Sequence, residues 1–434
     1  MIRRLFLPTA ALALTAGRLF GQHDMHAMNA QPGLVAARQG SGTSWIPEAS
    51  AHPALSRMAG AWTLSLHGAA FAFYSDQGTK RGATQAGLVD WEMGMAQRPF
   101  AGGTLTLRAM TSLEPFTMPG DGYPLLLQNG GSYRHAPIQD RQHPHNAIVE
   151  VAAMQERALG PAVVSLYAAA AGEPALGPVT YLHRPSAAGD PFSPLGHHWQ
   201  DATHEAYGVV TAGVGTRTLR LEGSAFNARE TDEHAHIVDY RGARLDSYAG
   251  RVSWAISPRV VASAWMGYLN QAERLDPGTR IHRYGASLLT EMRGFGGGRW
   301  SSALVWGENR HDDAADSHEL AEGGPGAAPH RAAQSLLVES SLDVGPGTTV
   351  FARAERVEKN GEEMGFSGGD LTTLYDIRVL TVGATHRLLA RAGADLSIGA
   401  RASFNSVPAS LLATYGTRSP TGAAVYLRLT PAAR

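Results

Sequence analysis

The chain contains no cysteine among its 434 residues. Disulfides, thiolate metal sites, cysteine nucleophiles and covalent haem attachment are therefore excluded. Lysine is nearly absent as well, occurring only at Lys80 and Lys359, so arginine carries almost all of the positive charge. The formal net charge is −1, which gives no general electrostatic argument for binding nucleic acid.

Long apolar runs are also lacking. The longest beyond the N-terminus, Pro161 to Ala171, falls well short of the roughly 18–20 apolar residues that a membrane helix needs. The N-terminus combines Arg3 and Arg4 with the apolar run 5–16, which predicts a secretory signal peptide, with a buried N-terminal helix as the alternative. We predict a signal peptide over 1–22, an extended periplasmic segment over 23–60, and a β-barrel over 61–434.

Sixteen segments of strand length follow residue 61, and several alternate between apolar and polar side chains. Leu219 and Leu221, for example, oppose Arg220 and Glu222. Charged side chains at period two on one face indicate a barrel with lipid outside and water inside. The predicted strands are 62–74, 83–97, 101–113, 145–157, 161–171, 203–215, 216–229, 244–257, 258–270, 279–293, 299–311, 331–344, 346–359, 375–391, 392–405 and 421–430.

The connections between these segments alternate between short turns, rich in glycine and proline, and longer polar loops. This alternation is typical of a transmembrane antiparallel β-barrel, here all-β with about 16 strands. An even strand number and an export signal predict an outer-membrane location with both termini periplasmic and the long loops facing outward, in contact with lipid and lipopolysaccharide. Aromatic residues near strand ends are candidates for interfacial girdles: Trp62, Trp91, Tyr167, Tyr207, Trp254, Trp300, Tyr375 and Tyr426.

The densest polar sequences lie in two neighbouring long loops, 114–144 and 172–202, on either side of the fourth and fifth predicted strands. In one interpretation the loops fold into the lumen and form a charge-selective constriction. Its candidate residues are Asp140, Arg141, Arg184, Asp201 and Glu205.

In a second interpretation the histidines of these loops bind a transition metal, because imidazole suits copper, zinc and nickel. The candidate ligands are His143, His145, His197, His198 and His204. In a third interpretation these histidines only form hydrogen bonds with the loop backbone.

The predicted mature N-terminus carries His23, Met25, His26 and Met28 within six residues. Interleaved imidazole and thioether side chains are the ligands that copper prefers, particularly Cu(I). A disordered leader without a ligand is the alternative. Copper is therefore the metal that the sequence suggests as a possible cofactor or cargo.

Catalysis has little support in the sequence. Ser193, Asp201 and His204 are the residues from which a hydrolase site could be assembled. They match no recognisable enzyme signature, and we expect the chain not to be an enzyme.

Four motifs carry a resemblance to a known family: Ser41 to Pro47, Asp140 to His145, Leu195 to Asp201 and Leu221 to Glu230. They resemble an uncharacterised family of Gram-negative, porin-like outer-membrane β-barrel proteins, some of which accompany copper-handling genes. The resemblance covers most of the predicted mature chain and implies the barrel fold, with a link to metal handling. It implies no particular activity.

The leading functional hypothesis is an outer-membrane pore for passive or selective passage of small solutes, filtered by the loops rich in histidine and arginine. The first alternative is an outer-membrane protein that binds copper or another transition metal, and the second is an outer-membrane hydrolase. The sequence leaves the oligomeric state open.

Overall fold

The computed structural model describes residues 38–51, 53–230, 244–275, 278–312, 332–366, 373–391 and 393–432. The strands within these ranges are β1 (Leu55–Ala59), β2 (Trp62–Gly78), β3 (Thr84–Phe100), β4 (Gly103–Thr111), β5 (Tyr123–Tyr133), β6 (Ala136–Gln142), β7 (Ile148–Leu159), β8 (Ala162–Gly172), β9 (Ala206–Gly215), β10 (Leu219–Asn227), β11 (Ser247–Ser257), β12 (Val260–Asn270), β13 (Arg280–Arg293), β14 (Arg299–Asp312), β15 (Ala333–Gly345), β16 (Thr348–Lys359), β17 (Tyr375–Arg391), β18 (Ala394–Ser406) and β19 (Thr421–Pro431).

Sixteen of these strands, β2–β4 and β7–β19, form one closed antiparallel barrel. Each strand pairs with the next along the chain, and β19 pairs with β2 to close the ring, with Tyr426 opposite Phe73. The short strand β1 pairs antiparallel with the beginning of β2. Closure leaves none of the sixteen described barrel strands at a sheet edge, as a barrel in lipid requires.

The sixteen predicted strands all correspond to barrel strands, so the predicted fold class is confirmed. One rim carries turns as short as 101–102, 160–161 and 346–347, and the other carries connections as long as 112–147 and 173–205. The prediction missed β1 and the separate hairpin of β5 and β6. The hairpin pairs irregularly, and Leu127 and Asp140 have positive φ, so it lacks the clean alternation of a regular strand.

Three short helices occur in the described connections: α1 (Glu114–Thr117), α2 (His197–Gln200) and α3 (Leu412–Tyr415). Single turns of 3-10 helix flank α2 and α3. No helix in the described part of the chain has the length and apolarity to cross a bilayer.

The barrel wall has apolar side chains outside and polar side chains inside. At the middle of β15, Val338 points outward with 50% of its surface exposed, whereas its neighbour Glu339 points inward and is 2% exposed. This alternation matches the polarity of a membrane barrel, since lipid contacts the outer face.

The girdle prediction holds for only part of its aromatic set. Trp254 and Trp300 project from the outer face, but Tyr167, Tyr207 and Tyr426 are buried inside. In a strand, a shift of one residue reverses the face, and nearness to a strand end does not specify the face.

Two described segments fill much of the inside of the barrel, and buried residues of the β4–β7 connection, such as Tyr123 and Leu126, pack against them. The first is residues 38–51, which we call the N-terminal insert. The second is residues 173–205, which we call the lumen loop; most of its residues are buried. The lumen loop connects β8 and β9 and includes α2. Across the residues that the structure describes, the inside of this barrel is therefore packed with protein.

Candidate functional site: a buried histidine and carboxylate cluster in the lumen

Ion pairs attach the lumen loop to the far wall of the barrel. Arg184 is fully buried; its Nε donates to Oε1 of Glu339 on β15 at 2.5 Å, and its Nη1 lies 3.4 Å from Oδ2 of Asp201. Asp190 accepts from Arg353 on β16 at 3.3 Å and from Arg401 on β18 at 2.9 Å. In a low-dielectric interior, each charge is stabilised only by such well-formed pairs.

The N-terminal insert forms hydrogen bonds with the lumen loop and with two other strands of the wall, β4 and β11. The main-chain N–H of Thr180 donates to Oγ of Ser41 at 2.9 Å, and Arg251 on β11 donates to Oγ1 of Thr43 at 2.8 Å. Arg108 on β4 donates to the carbonyl of Gly42 at 2.5 Å. The insert and the lumen loop are thus bonded to each other and to two parts of the wall.

Apolar anchors complete the packing of the lumen loop. Leu176, Phe192 and Trp199 are all at most 1% exposed, and each belongs to a different hydrophobic cluster shared with wall strands. Burying a large apolar side chain contributes roughly 1.5–3 kcal/mol. The docked position of the loop is therefore held by both packing and charge.

Glu173, at the beginning of the lumen loop, is a buried carboxyl group against the insert. Its Cβ lies 2.7 Å from the position that a Cβ on Gly42 would take, so the two chains are in close contact. Burial raises the pKa of Glu173 to about 8, assisted by Glu150 and Asp201 and opposed by Arg251 and Ser41. The group is therefore largely protonated in the docked state at neutral pH.

Histidines of the two long connections come together where the β4–β7 connection meets the end of the lumen loop. The ring centroids of His145 and His204 lie 5.5 Å apart, those of His197 and His204 5.2 Å, and those of His197 and His198 5.5 Å. Tyr181 packs edge-on against His197 at 5.3 Å. Two loops separated by about fifty residues in sequence therefore build one cluster, as their neighbouring strands predicted.

His145 is oriented by Glu114, the first residue of α1. The ring Nδ1 of His145 donates to Oε1 of Glu114 at 2.9 Å, and the His145 main-chain N–H donates to Oε2 at 2.8 Å. The other ring nitrogen, Nε2, lies 3.3 Å from the hydroxyl of Tyr181. Burial opposes the charged imidazolium, but Glu114 outweighs it and raises the pKa of His145 to about 9.

His204 is oriented by the backbone. Its Nδ1 lies 2.8 Å from the carbonyl oxygen of Asp201, and because a carbonyl only accepts, Nδ1 carries the proton. Its Nε2 is buried without a hydrogen-bond partner. Burial, together with His197 and His145, holds the pKa of His204 well below its ordinary value, so Nε2 presents a lone pair.

Two carboxylates border these rings and differ in protonation. Asp201 pairs with Nδ1 of His197 at 2.6 Å; burial opposes its ionisation, but His197 and Arg184 lower its pKa to about 2. Glu205 accepts from the main chain and side chain of Asn146 at 3.2 and 3.0 Å. Burial raises the pKa of Glu205 to about 7, against the influence of His145.

Two further histidines flank the cluster in neutral form. Burial and the nearby His145 lower the pKa of His143 to about 4, and its Nδ1 lies 3.0 Å from the carbonyl of Pro144. Burial and His197 hold the pKa of His198 well below the ordinary value. His143 thus makes a backbone contact of the kind that the third interpretation expected.

The five residues predicted to form a constriction do not share one location. Arg184 and Asp201 are paired in the lumen loop, and Glu205 contacts Asn146. Asp140 instead lies in the β5–β6 hairpin and accepts from Tyr415 of α3 at 3.0 Å. Arg141 contacts Asp121 at 3.2 Å in the same connection.

The predicted metal tract of His23, Met25, His26 and Met28 lies outside the described residues. The three candidate hydrolase residues, Ser193, Asp201 and His204, make their hydrogen bonds to other groups. Ser193 contacts Gln142 at 3.1 Å and Gln128 at 3.2 Å, while His204 contacts the backbone of Asp201. These contacts do not link the three residues in a nucleophile–base–carboxylate chain.

Two residues of the cluster escaped the sequence analysis: Glu114 and Tyr181. Glu114 lies at the beginning of the first long loop and is fully buried. Its position directly after a predicted strand and before Pro115 was the available signal, but an acidic residue there is ordinary in a solvated loop. Only the folded connection reveals that it faces His145.

The closed sixteen-stranded barrel, with its apolar outer face, charged wall and inward-folded loop, defines the class: the porin fold. The chain is similar to Salmonella typhi OmpF, solved in complex with daunomycin, with a TM-score of 0.52 and 12% identity over 87% of this chain and 100% of that one. It is also similar to an anion-selective porin from Comamonas acidovorans, with a TM-score of 0.49 and 11% identity over 85% and 99% of the two chains. At such identities the likeness shows the fold alone. No protein-family model and no curated protein matches the sequence.

Proposed function

We propose that this protein is an outer-membrane channel for small solutes whose lumen is closed at rest by its own lumen loop. The observation that carries the proposal is the docking of that loop across the barrel, with Arg184 and Asp190 paired to the far wall. Passage then requires a transient displacement of the loop.

The outer-membrane location is supported by the apolar outer face and by the predicted export signal. The even number of barrel strands places both ends of the barrel on the rim of short turns. In barrels of this kind the short turns face the periplasm, so we propose that both termini are periplasmic and that the long connections face outward, towards lipopolysaccharide.

The contents of the lumen limit what can pass without movement. One cavity of about 110 Å³ lies between the insert, the wall and the lumen loop, lined in part by His67, Trp91, His183 and Arg428. This volume holds only a few water molecules, since each occupies about 30 Å³ in the liquid. The inward-facing wall residues Arg251, Glu339 and Arg401 are also buried under the contents of the lumen. Small solutes would therefore cross only when the loop moves, and the arginines and carboxylates that it uncovers would act as the filter.

Planar lipid bilayers test the proposal with the full-length protein and one variant, Asp190→Ala. This variant removes the carboxylate that holds Arg353 and Arg401, so we expect openings at least about tenfold more frequent than in the wild type, because a 1.4 kcal/mol change in docking gives a factor of ten. Asp376→Ala is the matched control, since it removes a half-buried carboxylate that pairs with Arg356 and Arg378 on the wall and does not belong to the lumen loop.

The wild type should show brief openings whose frequency the control leaves unchanged. A wild type that stays silent at all voltages and salt concentrations would contradict a channel, even if Asp190→Ala conducts. Equal opening frequencies in Asp190→Ala and Asp376→Ala would contradict the gating role of the lumen loop.

A further inference from the structure

Three residues of the lumen cluster have the arrangement of a metal site. His145, His204 and Glu205 each place one potential ligand atom so that all three atoms lie within 4.8 Å of one another. Around a tetrahedral zinc ion the ligand atoms lie about 3.4 Å apart, since each bond is about 2.1 Å. The side chains therefore need to approach by little more than 1 Å to close on an ion.

Both imidazoles have the Nδ1–H oriented by a hydrogen bond, but only His204 is in the neutral form that binds a metal. His145, whose pKa is raised to about 9, must release its Nε2 proton when a metal ion binds. His204 presents a buried Nε2 without a partner, and its Nδ1–H is fixed by the carbonyl of Asp201 at 2.8 Å. His145 has its Nδ1 held by the carboxylate of Glu114 at 2.9 Å. Metal-bound histidines almost always donate the other ring N–H to a carboxylate or carbonyl, which fixes the ring and the tautomer.

We propose that His145, His204 and Glu205 form a binding site for a divalent transition-metal ion, which bridges the β4–β7 connection and the end of the lumen loop. Two imidazoles and one carboxylate suit zinc, cobalt, nickel or Cu(II). The set contains no sulfur ligand, so it does not favour Cu(I). The hydroxyl of Tyr181, 3.3 Å from Nε2 of His145, is placed to become a fourth ligand or to contact a bound water.

The metal-site proposal can be tested independently of the channel proposal, because metal binding is measured without any measurement of conductance. The experiment uses the full-length protein with a tag that contains no histidine, stripped of metal and folded in detergent at neutral pH. Titration with Co²⁺ reports the geometry of the site through its visible absorption, and competition with Zn²⁺ gives the affinity.

Variants distinguish this site from other histidines. His204→Ala and Glu205→Gln should each lower the affinity at least about tenfold and abolish the tetrahedral Co²⁺ spectrum. Glu114→Gln, which only orients His145, should lower it by about 10–100-fold, the effect usual for outer-shell partners. His143→Ala is the matched control, because it removes an imidazole two positions from His145 without touching the three ligands.

The tract at residues 23–28 could bind metal independently, and the double variant His23→Ala, His26→Ala removes its contribution to the stoichiometry. Far-ultraviolet circular dichroism and heat-modifiable migration in gels check that each variant is a folded barrel. Loss of the Co²⁺ spectrum in folded His204→Ala, with His143→Ala unaffected, is the expected result. If folded wild type gives no such spectrum, or if His204→Ala and Glu205→Gln bind as tightly as wild type, the site does not exist.

Discussion

Replacing Arg184 by alanine should release the lumen loop. Arg184 is fully buried and is shared by Glu339 and Asp201. Removing one partner of a buried pair typically costs about 3–5 kcal/mol. In Arg184→Ala, Glu339 still pairs with Arg353 at 2.9 Å and Asp201 still pairs with His197 at 2.6 Å. We therefore expect the free energy of docking to fall by about 3 kcal/mol, the lower end of this range.

That free energy corresponds to about a 100-fold rise in the ratio of undocked to docked loop, since 1.4 kcal/mol is tenfold. Hydrogen–deuterium exchange of the detergent-folded protein measures this ratio, because undocking of the loop lowers the protection of peptides that cover residues 179–200. The control is Arg378→Ala, which breaks an exposed pair with Asp376 and should change protection by less than about 1 kcal/mol.

Equal protection of residues 179–200 in Arg184→Ala and Arg378→Ala would contradict this docking role for Arg184. Loss of protection throughout the barrel strands would also be informative, because it would place Arg184 in the stability of the whole barrel. The expected pattern is a loss confined to the lumen loop and the insert.

The other predictions concern the wall, the insert and the hairpin. Val338→Arg places a charge on the lipid face at mid-strand and should destabilise the barrel by about 2–4 kcal/mol, measured by urea unfolding in lipid, with Val338→Leu near wild type. The pKa of Glu173 in the docked state is raised to about 8 from an ordinary value of 4.5, so the docked loop holds a proton on Glu173 that the undocked loop loses. The free energy of docking should therefore become less favourable as pH rises from about 5 to about 8 and should stay constant above that. Hydrogen–deuterium exchange of residues 40–45 should lose protection over this pH range in the wild type and not in Glu173→Gln. Tyr415→Phe removes the hydrogen bond to Asp140 and should loosen the hairpin by about 1 kcal/mol, seen as faster proteolysis within 123–142 than in wild type.

The barrel was predictable because its signals are local. Alternation at period two, as in Leu219 to Glu222, decides which side chains face lipid, and glycine and proline at the short turns decide where strands reverse. The same reasoning missed the β5–β6 hairpin, whose pairing is irregular and whose residues include Leu127 and Asp140 with positive φ.

The candidate site was predictable only in outline. Neighbouring strands predicted that the two histidine-rich loops meet, and they do. The sequence could not separate Asp140 and Arg141, which join the hairpin, from Arg184 and Asp201, which join the lumen loop, because loop paths depend on contacts distant in sequence.

The closed membrane barrel of sixteen strands follows from local sequence alone, because lipid outside and polar groups inside impose a two-residue period along each strand. Only the folded chain shows that the lumen is filled, that Arg184 pairs with Glu339 across 155 positions of sequence, and that Glu114 orients His145. Those pairings follow from burial: once a charge or an imidazole leaves water, it must find a partner wherever the fold brings one.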